Sequence, residues 1–258
     1  MRQITAMYFS PTGTSRKATT VIAASIGKET GYKVTTLDLT KPAPRTKEYT
    51  FGEDDILVLG YPVYAGRVPN VLQDVFKKIK GSRTQAVIVA VYGNRAYEDA
   101  VLEAKDILTD GGFVVVGAGA FIGEHSYSKK VATGRPDERD IEICNDFGKK
   151  ISAKLANKDF GEFHINGNRP YKDPMPNMPF KPKTTEACTD CGVCTEICPM
   201  QVISKEDPQV VNDGCILCSA CVKGCPVEAK YIDAEPLNKI KAMLEANCGK
   251  RKEVELFL

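Results

Sequence analysis

The chain has 258 residues and a net charge of only +2, from 35 Lys and Arg against 33 Asp and Glu. With 43% hydrophobic and 26% charged residues it reads as a soluble globular protein of one large or two smaller domains. No apolar run approaches the roughly 20 residues of a membrane-spanning helix, and the basic residues are dispersed, so membrane-spanning and nucleic-acid-binding roles are set aside. The first residues run straight into a strand pattern without a signal-peptide core, so a cytoplasmic location is expected.

The first 161 residues alternate strand and helix signals. Residues 4–9 read as a buried strand. Residues 14–30 read as a helix, with Ala18, Val21, Ile22, Ser25 and Ile26 at helical spacing. Strands follow at 34–39 and 55–60, then a helix at 69–79 and a strand at 86–92. A helix at 97–110 is ended by Gly111 and Gly112. A fifth strand at 113–121 and a helix at 137–155 complete the series. Continuous apolar strands alternating with amphipathic helices imply a parallel sheet covered on both faces. Five such units predict an open, doubly wound, five-stranded α/β domain with its ligand at the carboxyl ends of the strands.

Residues 162–183 carry Pro170, Pro174, Pro176, Pro179 and Pro182 without any period, and read as an extended linker. Tyr171, Met175, Met178 and Phe180 punctuate it and give it a means to pack on a surface. Residues 184–235 form a cysteine-rich segment. Residues 236–258 form a closing helix (236–247) and a tail whose Leu256, Phe257 and Leu258 make an apolar end. The small net charge hides an asymmetry. Residues 1–183 hold 27 basic and 21 acidic side chains, and residues 184–235 hold 3 and 9, so the two parts have the signs to dock on each other.

Eight of the ten cysteines lie between 188 and 225. Cys188, Cys191, Cys194 and Cys198 precede Pro199, and the same spacing returns as Cys215, Cys218, Cys221 and Cys225 before Pro226. Three cysteines on one tight loop can wrap three corners of an iron–sulfur cube, and the fourth, held before a proline, reaches the other cube. One [4Fe–4S] cluster is therefore expected on Cys188, Cys191, Cys194 and Cys225, the other on Cys198, Cys215, Cys218 and Cys221. Gly192, Ser219 and Ala220 leave room for loop amides near the sulfurs. Zinc also binds paired CxxC motifs, but it requires neither the third cysteine of each loop nor the trailing Cys-Pro. The doubled run resembles the two-cluster bacterial ferredoxins. Cys144 and Cys248 read as incidental thiols.

After the first strand, Ser10-Pro11-Thr12-Gly13-Thr14-Ser15 leads into a helix. Hydroxyls and amides at a helix N-terminus make an anion site; a plain Ser/Thr cap is the simpler alternative. Neither the P-loop lysine nor the GxGxxG fingerprint is present, which disfavours nucleotide hydrolysis and dinucleotide binding. Ser10, Thr12, Gly13 and Ser15 match the phosphate loop of the flavodoxin family, with Thr14 in place of its frequent asparagine. The resemblance covers about residues 1–160 and implies FMN. It also implies flavin contacts from Pro62, Val63, Tyr64 and Gly66 in the loop after the third strand. Tyr92, Gly93, Asn94 and Tyr97 after the fourth strand supply the others. Tyr61, Tyr64, Tyr92 and Tyr97 are the stacking candidates in a chain without tryptophan. In the loop after the fifth strand, Gly123 to Ser128, His125 is a candidate to move a proton at a reduced flavin, or a structural histidine.

The two halves in this order resemble the flavodoxin–ferredoxin fusion proteins of anaerobic microbes. That resemblance implies two [4Fe–4S] clusters and FMN passing electrons to or from a redox partner. An FMN-dependent reductase of a small organic acceptor such as a quinone, an unsaturated compound or a nitro compound is the alternative.

Overall fold

The computed structural model describes residues 2–174, 176 and 178–258, so Met175 of the linker lies outside the described residues. The first part runs β1 (Gln3–Tyr8), α1 (Thr14–Thr30), β2 (Lys33–Asp38), α2 (Pro42–Arg45), β3 (Tyr49–Phe51) and β4 (Ile56–Pro62). It continues with α3 (Asn70–Lys77), β5 (Ile79–Gly81), β6 (Thr84–Tyr92), α4 (Ala100–Asp110), β7 (Phe113–Ile122) and α5 (Glu138–Asn157). The second part has β8 (Lys183–Thr184), α6 (Val193–Ile197), α7 (Ala220–Lys223), β9 (Lys230–Tyr231), α8 (Glu235–Asn247) and β10 (Glu255–Phe257). Among the described residues, no helix is long and apolar enough to cross a membrane.

Strands β2, β1, β4, β6 and β7 lie side by side and parallel. Counted along the chain, this is the flavodoxin-like order 2-1-3-4-5, which reverses between β1 and its neighbour β4. The reason is visible in the burial. Strands β4 and β6 are apolar and buried along nearly their whole length, so both faces need cover. On one face Ile22 and Ile26 of α1 and Phe147 and Ile151 of α5 pack on Ile4, Val58 and Val89. On the other, Leu72 and Phe76 of α3 and Val101 and Leu108 of α4 pack on Met7, Leu59 and Ile88. Each such burial contributes about 1.5–3 kcal/mol before entropy is counted. Helix α5 opens with a reciprocal capping box between Asp137 and Asp140.

The sheet has a sixth strand that periodicity did not reveal. β10 pairs antiparallel with the β7 edge, Leu256 facing Gly119. Three residues are too few to show an alternation, and the strand forms because β7 offers an open edge. A further small parallel sheet joins β3 to β5. It ends α3 at Lys77, two residues before the expected end, because Ile79 pairs with Tyr49.

The second part repeats itself. Each cysteine of the first run has its counterpart 27 residues later, and so does the backbone. Asp190 and Leu217 both adopt left-handed φ, as do Gly192 and Ser219, and Gln201 and Glu228. Gly192 and Ser219 start α6 and α7 respectively. The strands β8 and β9 close this unit antiparallel.

The loop between β6 and α4, residues 93–99, grips both segments that flank the cysteine unit. Buried Asn94 donates through Nδ2 to the carbonyls of Cys248 (2.7 Å) and Lys250 (2.9 Å), and its Oδ1 accepts from the Lys252 N–H at 3.2 Å. The Tyr97 hydroxyl donates to the Glu255 carboxylate at 2.5 Å, its ring edge-on to Tyr92 and Phe257. Asp99 accepts from the N–H groups of Asn168 and Lys172, both at 2.8 Å. These contacts hold residues 94–99 out of α4, which starts three residues later than expected. Ion pairs join the two parts as well: Lys223 with Glu124 at 2.5 Å, Lys130 with Glu245 at 3.3 Å, and Lys129 with Glu228. Surface pairs of this kind add little each.

Asn94→Ala leaves two carbonyls and an N–H of the tail without their partner. It should cost about 2–3 kcal/mol in chemical denaturation. It should also speed proteolytic cleavage after α8.

Candidate cofactor and cluster sites

The carboxyl ends of β1, β4, β6 and β7 open into one cavity of about 330 Å³, beside the point where the strand order reverses. Its floor is the loop after β1, with Ser10, Thr12, Thr14 and Ser15 in the wall. Gly13 begins α1 in the left-handed region, at φ 86°, and no side chain caps that residue. The Ser10 hydroxyl instead closes the loop by accepting from the Arg16 N–H at 2.9 Å. The Ser15 Oγ is buried with no hydrogen-bond partner among the described residues. A buried hydroxyl is costly to leave unpaired, and this one lies in the first turn of α1, where four backbone N–H groups also lack helical acceptors. The loop therefore fits an anion with several acceptor oxygens, such as a phosphate.

Pro62 at the end of β4, Val63 and Tyr64 from the loop after it, and Tyr92 and Gly93 from the end of β6 form the walls. A side chain at Gly93 would meet the His125 ring at 2.5 Å, so only glycine lets these two loops close. The remaining expected residues lie elsewhere. Gly13 and Gly66 shape their loops without lining the cavity. Asn94 and Tyr97 are committed to the tail, and the Tyr61 hydroxyl donates to the Ala100 carbonyl at 2.8 Å from full burial.

His125 lines the cavity, and its Nδ1 accepts from the Tyr127 N–H at 3.1 Å. Burial, then the positive charges of Lys223 and Arg95, lower its pKa to about 4. The imidazole is therefore neutral at pH 7, with its proton on Nε2. It can offer a hydrogen bond there but is no imidazolium acid.

The cavity roof comes from the second part of the chain. Leu217 and Cys218 from the second cysteine run, Met178 from the linker, and Ile240, Met243 and Leu244 from α8 complete the wall. No local signal marks these residues; distant segments bring them in. Burial, then Cys218, pushes the hydroxyls of both Tyr64 and Tyr127 up, that of Tyr127 to about 12. These two tyrosines thus line the cavity close to Cys218.

Two smaller cavities lie inside the cysteine unit. Cys198, Cys215, Cys218 and Cys221 line one, together with Ile203 and Ala220. Cys188, Cys191, Cys194 and Cys225 line the other. Each contains three cysteines of one run and the fourth of the other, the exchange the spacing predicts. Among the described residues, no three Cys, His, Asp or Glu side chains gather around a single ion-sized point; the thiols surround volumes instead. Burial pushes the Cys218 and Cys221 thiols up to about 12, so neither ionises at pH 7 without a cation. Burial also raises Cys225, but the N–H groups of Lys230, Val227 and Ala229 more than offset it, leaving this thiol below its usual range. Thiols that need a metal and amides aimed at sulfur fit an iron–sulfur cluster. Cys144 is buried in the α5 core and Cys248 packs beside Val131 and Leu244.

Residues 187–230 match the model of the 4Fe-4S dicluster domain family. No curated protein matches the chain. Among solved structures, a flavodoxin from the domain Archaea is 14% identical and covers 60% of this chain and 99% of its own, with a TM-score of 0.42. Flavodoxin 2 from Bacillus cereus is 17% identical over 59% of this chain and 99% of its own, at 0.44. An azoreductase from Bacillus anthracis is 14% identical over 61% of this chain and 100% of its own, at 0.38.

The His125 ring gives a pH signature. Its folded pKa, about 4, lies below its ordinary 6.5, so the unfolded chain binds the proton first as pH falls. Stability is lost from about pH 6.5 down to about pH 4. Thermal unfolding across that range should show a shallower loss for His125→Gln than for the wild type. With its strand order and its matched cysteine segment, the chain joins a flavodoxin-like α/β fold to a small ferredoxin-like segment that matches the 4Fe-4S dicluster domain family.

Proposed function

We propose that the protein is an electron relay, in which FMN occupies the large cavity and a [4Fe–4S] cluster occupies each cysteine-lined cavity, exchanging electrons with an external redox partner. One observation carries this reading: Leu217 and Cys218 belong to the wall of the large cavity and to the wall of a cysteine cavity at once. A flavin supplies one- or two-electron chemistry and a cluster one-electron chemistry, so the pair couples the two modes.

The chain's own groups have distinct tasks in this scheme. The Ser15, Thr12 and Thr14 hydroxyls and the first-turn amides of α1 would hold the phosphate. Tyr64 and Tyr92 would flank the ring system. His125 would offer Nε2–H to a polar edge while remaining neutral. Leu217, Met178 and α8 would lay apolar side chains along one side of the site.

Anaerobic reconstitution with iron, sulfide and FMN tests both halves. Wild-type protein should retain iron with acid-labile sulfide and quench bound FMN fluorescence. Dithionite should then bleach both chromophores. Ser15→Ala should weaken FMN roughly tenfold or more, the loss expected for one hydrogen bond to a charged group. Zinc retained in place of iron would refute the cluster assignment. An FMN affinity indifferent to Ser15→Ala would refute the phosphate site.

A further inference from the structure

Four cations are buried among the described residues: Arg45, Arg67, Arg135 and Lys230. Two follow the ordinary rule that a buried charge is paired. Arg67 makes a two-pronged bond to Glu103, both arms at 2.8 Å, and Arg135 does the same with Asp140 at 2.8 and 2.5 Å. Arg45 and Lys230 have no carboxylate partner among the described residues. They are also the two that border the cysteine cavities.

Arg45 is 8% exposed and comes from α2, on the flavodoxin-like side. Its guanidinium donates to the carbonyls of Leu39 (3.1 Å), Thr40 (2.6 Å) and Pro199 (2.9 Å), approaches Met200 Sδ at 3.4 Å, and lies over the Phe9 ring at 5.5 Å. Pro199 and Met200 line the cavity of Cys198, Cys215, Cys218 and Cys221. Beside it Lys41 Nζ donates to the Cys198 carbonyl at 3.2 Å. Lys230 is 3% exposed and lines the cavity of Cys188, Cys191, Cys194 and Cys225. Its ammonium donates to Thr184 Oγ1 at 2.8 Å and to the Pro208 carbonyl. In both cases hydrogen bonds satisfy the donors, yet carbonyls and hydroxyls cancel no net charge. An uncompensated buried cation is costly, and here Cys198 beside Arg45 and Cys225 beside Lys230 are near enough to carry the balancing charge.

We infer that Arg45 and Lys230 are positioned counter-charges, one for each cluster, that favour its reduced form. The inference rests on the cluster reading above. Reduction adds one electron, and no proton, to a thiolate-held cluster, which raises its negative charge by one. A fixed cation in low dielectric stabilises the more negative state more strongly, so the reduction potential rises. Arg45 does this across the domain boundary: the flavodoxin-like domain sets the potential of the cluster that shares its wall.

The test is a dithionite titration of the reconstituted full chain, followed by EPR with iron content measured in parallel. Arg45→Met and Lys230→Met should each move one one-electron step to a more negative potential, and not the same step. Arg45→Lys and Lys230→Arg should keep the wild-type potentials. Fully loaded Met variants with unmoved potentials would overturn the inference. If a Met variant fails to hold its cluster, the charge-keeping variant decides. Restored iron at the wild-type potential upholds the inference; iron still absent assigns the residue to the framework and overturns it. A wild-type chain that takes up no iron and sulfide would overturn the cluster reading and the inference with it.

Discussion

One short loop holds this structure together. Residues 93–99 take hold of the linker before the cysteine unit through Asp99, and of the tail after it through Asn94 and Tyr97. These grips fasten the chain on both sides of the cysteine unit, which also touches the first domain directly where Arg45 donates to the Pro199 carbonyl. With them, its second cysteine run is pressed against the carboxyl edge of the sheet. The ion pairs between the two parts assist the contact, but exposed pairs are too weak to specify it. The buried hydrogen bonds of Asn94 and Asp99 specify it, because an unmade bond inside costs more than a made one at the surface gains.

The shared wall follows from that constraint. Leu217 adopts left-handed φ, and so does Ser219, in positions that match Asp190 and Gly192 of the first run. The same loop shape thus serves twice, once facing outward and once roofing the large cavity. Identical local geometry produces different surroundings because the Leu217–Cys218 turn of the second run meets the large cavity, whereas the first run touches the flavodoxin-like domain at its far end, through Cys198 and Pro199. Cys191 is accordingly exposed while Cys218 is buried.

Much of this was legible in the sequence, for reasons that differ by element. The parallel strands announced themselves because a doubly covered strand must be apolar throughout, as β4 and β6 are. The grouping of the cysteines around two cavities was legible because a tight loop keeps three together and a proline turns the fourth away. The loop after β1 was legible as a candidate anion site because it sets a glycine and several hydroxyls at a helix start; that the Ser15 hydroxyl is left unpaired only the structure shows. What escaped had no local signature. Asn94 and Tyr97 look like flavin-loop residues, and only the returning tail shows their use. β10 is three residues long and exists because β7 has a free edge. Arg45 belongs to an unremarkable Pro-rich turn, and its burial depends on Pro199 of a distant segment.

The pairing of β10 with β7 changes how the chain should be divided. Residues 184–235 do not simply follow the sheet; they are inserted between its last helix and its last strand. The entropy cost of such an enclosed loop grows only with the logarithm of its length, about 0.6 kcal/mol per doubling. A folded body of that size can thus be carried inside the sheet's own connectivity at almost no penalty. The arrangement makes the cysteine unit a permanent internal partner, whose local concentration at the cavity does not fall on dilution.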